Sequence, residues 1–411
     1  MNERNNGKHS MCKQQTGHAA GRQAEQGAGK AAEEPTRDRS GICRGHQIRC
    51  RKIAALFCLL LLIVSQTGCS HNGGGGLQGE EAPLAAEDRY LLNTLCRIEI
   101  WEAPSEKQAQ SLVENAFLLA QELERAMSRT IEGSDIDRIN SAGGIPVEIG
   151  NAHVIEVLEL GINYGELSGG LFDITIGRLA ELWNFSSEAA AVPEAEKIQE
   201  LLAHVDYRSL HWVPVVEGDP MAQEGGAQRW LVTLADPKAA IDLGGIAKGY
   251  IADQVADFLR ENGVTSALLN FGGNVVCIGR KSEERPWVIA VERPFNDAEA
   301  EDYQRRTVGT IELQDQAAVT SGTYERQFVE EGVRYHHILD PNTGYPRQSG
   351  LSGVTVVGER SAQCDGLSTT CLMLGLEKGM ELIENMPGFE AVFVEESGAI
   401  SCTSGIALNE L

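Results

Sequence analysis

Three short segments, far apart in the chain, carry residue types that do chemistry. Ile241-Asp242-Leu243-Gly244-Gly245-Ile246-Ala247-Lys248-Gly249-Tyr250 reads as an apolar strand end that runs through a glycine pair into a helix. Glycines at such a turn let backbone N–H groups approach an anion, and Lys248 falls in the first helical turn, where its ammonium reaches the same anion. Neither GxxxxGK[ST] nor GxGxxG is present here, and a turn needed only for packing accounts for the glycines equally well. Asp365 and Thr369, four apart at the start of a predicted helix, share a face. A carboxylate plus a hydroxyl is a hard oxygen pair suited to Mg²⁺, with backbone carbonyls, waters and substrate phosphates completing the shell. Alone, that spacing more often means an Asp N-cap beside an exposed Thr. His337 precedes Ile338-Leu339-Asp340-Pro341-Asn342-Thr343-Gly344, whose Pro, Asn and Gly make a stiff turn. A histidine held there is placed to act as a general base or a phosphate contact. His336 would point to the opposite face of a strand, so the two histidines cannot chelate together. In combination the three segments suggest chemistry on a metal-bound diphosphate.

A fourth segment, Gly169-Gly170-Leu171-Phe172-Asp173-Ile174-Thr175-Ile176-Gly177, is followed by Leu179, Leu182, Trp183 and Phe185. It reads either as a wall for a flat heteroaromatic ring, with Asp173 accepting from ring or ribose donors, or as a core turn and helix.

The elements that must position these residues are mixed. Residues 105–127 form an amphipathic helix with Leu112, Ala116, Leu119, Leu123 and Met127 on one side. Ser134 to Asn140 is a capped short helix, and residues 151–167 form another. Strands are expected at 96–101, 230–234, 266–270, 274–278, 287–292 and 353–358, and helices after the 244–245 glycine pair and over 365–374. A Gly-, Glu- and Pro-rich surface insertion spans about 214–228. Strands and helices follow no regular βαβ repeat, which favours an α+β fold of mixed sheets with packed helices.

The 411-residue chain carries a formal charge of -24. Residues 1–52 hold 11 Lys/Arg against 5 Asp/Glu, so the rest is strongly acidic. An acidic body with no basic stripe argues against nucleic acid as a partner. Residues 53–64 are an apolar run preceded by Arg49, Arg51 and Lys52 and followed by Ser65-Gln66-Thr67-Gly68-Cys69, which suits a signal-peptide core more than a membrane span. Gly68-Cys69 resembles a lipobox, although Gln66 stands where leucine is expected. Residues 1–50 read as a disordered basic extension, 51–69 as a lipoprotein signal, 70–88 as a flexible tether and 89–411 as the folded domain. Beyond Cys69 only Cys96, Cys277, Cys364, Cys371 and Cys402 remain, with no CxxC pair and hence no case for zinc or a disulfide framework.

From about residue 89 to 400 these segments, in this order, resemble the ApbE family of flavin transferases. Met127-Ser128, Asn270 to Asn274 and Thr320-Ser321-Gly322 add to the match. The resemblance implies a Mg²⁺-dependent attack on the FAD diphosphate. AMP leaves, and FMN is esterified to a threonine of a partner, characteristically a membrane redox subunit. It implies Mg²⁺ at Asp365, Thr369 and the carbonyl of Gly245. It implies FAD contacts at Leu92, Thr130, Leu171, Phe172, Asp173, Asp242, Lys248 and Leu339, with His337 as base. Cys69 would anchor the protein in the lipid bilayer, on the outer side of the cytoplasmic membrane. Leu92 stands where the family has methionine, and Arg129-Thr130 where it has an aromatic, so ring contacts are expected to differ. An FAD pyrophosphatase using water as acceptor and a non-catalytic FAD-binding lipoprotein are the alternatives. The intact Asp365, Thr369 and His337 set argues against the second.

Overall fold

The computed structural model describes residues 82–216, 228–294 and 307–410. The N-terminal extension, the signal, most of the tether and most of the 214–228 insertion lie outside the described residues.

Strands β1 (Ala85–Leu91) and β2 (Thr94–Glu102) form a hairpin. Helices α1 (Glu106–Met127) and α2 (Asp135–Ser141), strand β3 (Val147–Ile149), and helices α3 (Ala152–Leu167), α4 (Gly177–Trp183) and α5 (Ala195–Leu202) follow. Next come β4 (Leu210–Pro214), β5 (Trp230–Leu234), α6 (Ala247–Glu261), β6 (Ser266–Phe271), β7 (Asn274–Ile278) and β8 (Trp287–Glu292). After β9 (Thr307–Leu313) and β10 (Ala317–Gly322), β11 (Gln327–Glu330) and β12 (Val333–His336) make a second hairpin. The chain ends with β13 (Leu351–Gly358), α7 (Ser361–Leu374), α8 (Leu376–Glu384), β14 (Glu390–Glu395), β15 (Ile400–Cys402) and β16 (Asn409–Glu410).

An eight-stranded sheet of order β1-β2-β6-β7-β10-β13-β14-β15 is antiparallel at every pairing. Helices α1, α6 and α7 cover one face. Ile98, Ile100, Phe117, Leu259, Phe271 and Val356 meet there, and the Phe117 and Phe271 rings stack at 6.4 Å. The other face is covered by the three-stranded sheet β16-β9-β8, which packs Trp287, Val291 and Ile311 onto Val357, Val392 and Val394. β13 lies between both layers and all eight of its residues are buried, so it reads as a continuous apolar run and not an alternating one. The fold is the expected mixture of sheets and packed helices.

Local side-chain caps set three of the helix starts. Ser105, Ser134 and Asn151 each accept a backbone N–H at the start of α1, α2 and α3. Two boundaries differ from expectation. The tether ends earlier than 88, because Ala85 to Asp88 pair in register with Arg97 to Ile100. Helix α7 begins at Ser361, four residues before Asp365, because its cap comes from another helix. The Asp253 carboxylate of α6 accepts the Ser361 and Ala362 N–H groups, each at 2.9 Å. Asp365 is therefore an interior helix residue and not an N-cap.

Candidate active site

The 240–245 turn is fixed from two sides. Asn140 of α2 grips Ile241, taking its N–H at 2.7 Å and donating to its carbonyl at 3.0 Å. The Asp242 N–H donates to the Ile174 carbonyl at 2.7 Å, and the Gly177 N–H to the Ala240 carbonyl at 2.9 Å. The 171–177 segment and the glycine turn thus form one unit. Within it Asp173 is a brace. One oxygen accepts from the Thr175 N–H at 2.7 Å and hydroxyl at 2.6 Å, and the other from the Tyr207 N–H at 2.9 Å. Burial raises its carboxyl pKa against these bonds. Asp242 accepts the Gly244 N–H at 2.7 Å and the Arg129 guanidinium at 2.6 Å. The Gly244 N–H, expected to be open to an anion, is therefore held by a neighbouring carboxylate.

Helices α6 and α7 cross at Gly249. A side-chain carbon there would lie 2.5 Å from the Ser361 carbonyl oxygen and 2.8 Å from Asp365 Cβ, so only glycine permits this approach. The approach brings Lys248 Nζ to 3.7 Å from Asp365 Oδ1 and lets the Gly249 N–H donate to Asp365 Oδ2 at 2.9 Å. As one of the first N–H groups of α6 it has no intrahelical carbonyl to bond, and the Asp365 carboxylate takes that place. Asp365 is 1% exposed. Burial raises its pKa, opposed first by Lys248 and then by the Gly249 N–H and Asn274. One turn on, Thr369 Oγ1 lies 2.9 Å from Ser321 Oγ, which lies 2.8 Å from Ser368 Oγ. Asn274 is wholly buried beside Asp365, and neither amide atom is within hydrogen-bond geometry of a partner.

His337 is carried by a separate block. Trp183 stacks on Phe185 at 5.4 Å and packs against Phe328, Tyr335 and Tyr345. Its indole N–H donates to the Gly344 carbonyl at 2.8 Å. The Asp340 carboxylate closes the turn on the Asn342 N–H at 2.8 Å and pairs with Arg347 at 2.7 Å. Arg347 Nε also donates to the Met373 carbonyl at 2.9 Å, tying the turn to α7. His337 donates its N–H to the Arg326 carbonyl at 3.0 Å, while its Nδ1 is buried without a partner. Burial first, and the Arg326 charge second, push its pKa down to about 3, so the ring is neutral at pH 7. His336 is turned away, with Nε2 3.1 Å from the Arg347 carbonyl.

These parts line one cavity. On its polar wall are Asp242, Gly245, Lys248, His337, Asp365 and Thr369; on its apolar wall are Leu171, Phe172, Ile174, Ile176 and Leu339, with Asp173 between them. Leu92 and Thr130 are not among the lining residues. Leu92 sits in the β1–β2 turn at φ 56 and donates its N–H to Glu124 at 2.7 Å. The Thr130 hydroxyl lies 3.1 Å from that of Ser128. Arg129, next to Thr130, lines the cavity instead, held by Asp242. Ser321, Glu325 and Arg326 also line it; from sequence none of them was given a role in the site. Ser321 had a signal in Thr-Ser-Gly at a strand end; Glu325 and Arg326 sit in a connection with no motif. Glu325 is solvent-accessible yet crowded by the cleft walls, and its carboxyl pKa is raised by that environment.

No group of three or more His, Cys, Asp or Glu side chains that could hold a metal occurs among the described residues. The donors at Asp365 and Thr369 are instead one buried carboxylate and a hydroxyl, beside the Ser321 hydroxyl and the buried Asn274 amide. Such a hard, sparse set fits Mg²⁺, which keeps waters and takes few protein ligands, and does not fit zinc.

Residues 92–393 match the ApbE family. The chain is 30% identical over 365 residues to the FAD:protein FMN transferase of Treponema pallidum (strain Nichols), covering 86% of this chain and 94% of that protein. It is 33% identical over 296 residues to that of Klebsiella pneumoniae (strain 342), covering 72% and 85%. The crystal structure of the ApbE protein from Thermotoga maritima superposes with a TM-score of 0.65 at 32% identity, over 78% of this chain and 97% of that one. The flavin transferase ApbE from Vibrio cholerae gives 0.64 at 26%, over the same shares. This chain belongs to the ApbE family.

Proposed function

We propose that this chain is an FAD:protein FMN transferase that joins FMN through a phosphoester to a threonine of a redox protein and releases AMP. One observation carries the reading: residues as distant in sequence as Phe172, Lys248, His337 and Asp365 line a single cavity with an apolar wall and a polar wall. The apolar wall of Leu171, Phe172, Ile174 and Leu339 takes the flat isoalloxazine ring. Lys248 and Arg129 offer positive charge to the diphosphate. The Asp365 carboxylate, the Thr369 hydroxyl and the Gly245 carbonyl are the groups that would hold Mg²⁺. When bound, that ion neutralises charge on the diphosphate and on the departing AMP.

His337 does the proton work. As a neutral imidazole it accepts the proton of the acceptor hydroxyl as that oxygen bonds to the FMN phosphorus and the bond to the AMP oxygen breaks. The aromatic block around Trp183 and the Asp340–Arg347 pair hold the ring in place. Water entering instead of threonine would give FMN and AMP. Anchoring through Cys69 on the outer side of the cytoplasmic membrane, near a membrane redox partner, is part of the proposal and is supported by sequence alone.

Mass spectrometry tests the reading. The chain is mixed with FAD, Mg²⁺ and a threonine-bearing fragment of a candidate redox subunit. A mass gain of one FMN on the fragment, with AMP released, is expected. Bound FAD that stays intact would refute catalysis. Asp365→Ala should abolish turnover and the Mg²⁺ dependence of thermal stability; unchanged turnover would refute the metal assignment.

A further inference from the structure

A chain of one carbonyl and three hydroxyls links β10 to α7. Asp365, Ser368 and Thr369 stand at i, i+3 and i+4 of α7, so they are neighbours on its surface. Ser321 reaches them from β10, while its strand neighbour Thr320 turns the other way, to Thr355 at 2.8 Å. The Ser368 hydroxyl donates to the Asp365 carbonyl at 3.0 Å, and a carbonyl can only accept. Ser321 Oγ lies 2.8 Å from Ser368 Oγ and 2.9 Å from Thr369 Oγ1. A hydroxyl holds one proton and two lone pairs. The Ser368 proton is committed to Asp365, so Ser368 accepts from Ser321. The Ser321 proton is then committed to Ser368, so Ser321 accepts from Thr369. The Thr369 proton therefore points back to β10, and its lone pairs are left for the cavity that Thr369 lines. Asp365 acts twice: its carboxylate faces the site, and its carbonyl is the fixed end that sets the order of the protons.

We propose that Ser321 is a positioning residue for the cation: it fixes the direction of the Thr369 proton, so that Thr369 meets a metal ion as an acceptor. This role rests on the Mg²⁺ assignment of the transferase reading. Hard cations are held by oxygen lone pairs, and an O–H proton turned towards the ion opposes binding. A helical Ser or Thr readily turns its hydroxyl to the carbonyl four residues back. For Thr369 that carbonyl belongs to Asp365. With Ser321 removed, Thr369 would turn to it and lose the orientation that serves the cavity. Partners one bond outside the ligands change metal affinity by about 10–100-fold.

The test follows the full-length chain in thermal melts over a Mg²⁺ series, with and without FAD, and in AMP release over the same series. In the wild type Mg²⁺ should raise the melting temperature to a plateau. Ser321→Ala should need at least about tenfold more Mg²⁺ for half of that rise and for half-maximal AMP release, with kcat recovered at saturating Mg²⁺. Ser321→Thr keeps the hydroxyl and should return the midpoint towards the wild type. Ser368, fully buried and outside the cavity lining, gives a second variant. Ser368→Ala frees the Ser321 proton and should weaken Mg²⁺ in the same sense. The double variant should be no weaker than Ser321→Ala alone, because both act in series through Thr369. A merely structural Ser321 would lower the melting temperature equally with and without Mg²⁺ and leave the midpoint in place. That result overturns the proposal. So do a Ser321→Thr midpoint no better than that of Ser321→Ala, and losses that add fully in the double variant. A wild type whose stability and turnover both ignore Mg²⁺ refutes the metal assignment itself, and the role of Ser321 with it.

Discussion

Replacing Gly249 with alanine probes the contact on which the polar wall depends. Alanine ordinarily stabilises a helix interior relative to glycine by about 1 kcal/mol, and Gly249 lies within α6. Here the added carbon would sit 2.5 Å from the Ser361 carbonyl oxygen, backbone that cannot rotate away. Restoring an ordinary contact needs the helices to part by about 1 Å, since close-packed interiors hold no slack. Overpacking of this kind costs about 1–3 kcal/mol, so the net loss should be about 1 kcal/mol and the melting temperature should fall by a few degrees. The larger effect is on function. The same displacement moves Lys248 and the Gly249 N–H away from Asp365, and a misplacement of about 1 Å can cost on the order of 100-fold in rate. Thermal melts and AMP release from FAD measure both. Gly150→Ala, where the nearest atom is 3.9 Å away, is the control and should change neither. A Gly249→Ala protein that melts above the wild type and cleaves FAD at its rate would refute the argument that helix contact sets the site.

Other perturbations test the supports. Trp183→Ala empties a fully buried site and frees the Gly344 carbonyl, at about 3–5 kcal/mol; transfer should fail while the α6–α7 wall still shows Mg²⁺-dependent stabilisation in melts. Asp253→Ala removes the cap of α7 and should cost about 2 kcal/mol by urea titration; no change would show that the helix start is set elsewhere. Burial pushes the His336 pKa down to about 4. The unfolded chain therefore binds this proton below its ordinary pKa of about 6.5 while the folded chain does not, and stability is lost as pH falls from about 6.5 towards 4, by roughly 3 kcal/mol. Urea titrations at pH 7.5 and 5 should show about 2 kcal/mol of this loss in the wild type and a smaller one in His336→Gln.

What could be read from sequence is what depends on near neighbours. Lys248 after a glycine pair, Asp365 and Thr369 one turn apart, and His337 before a Pro-Asn-Gly turn are local patterns, and all four residues line the cavity. Helix starts at Ser105, Ser134 and Asn151 were legible for the same reason. The α7 start was not, because its capping carboxylate lies on α6. Among the elements left unassigned, strands β9, β10 and β14 are buried on both faces and so lack alternation, while helices α5 and α8 span only 8 and 9 residues, too few turns to declare a helix.

Arg129 shows the limit most clearly. As a sequence it stands where an aromatic residue is expected and reads as a lost ring contact. In the fold it reaches Asp242, 113 positions away, and places a guanidinium on the cavity wall. Removing an aromatic and adding a cation there shifts the wall's contribution from ring stacking towards phosphate binding. The site would then hold FAD more by its diphosphate and less by its flavin. Arg129→Tyr should therefore weaken FAD binding more steeply at low salt than at high salt, because only the charge term is screened. A loss of affinity that is the same at both ionic strengths would mean that Arg129 acts through Asp242 alone and not on the ligand.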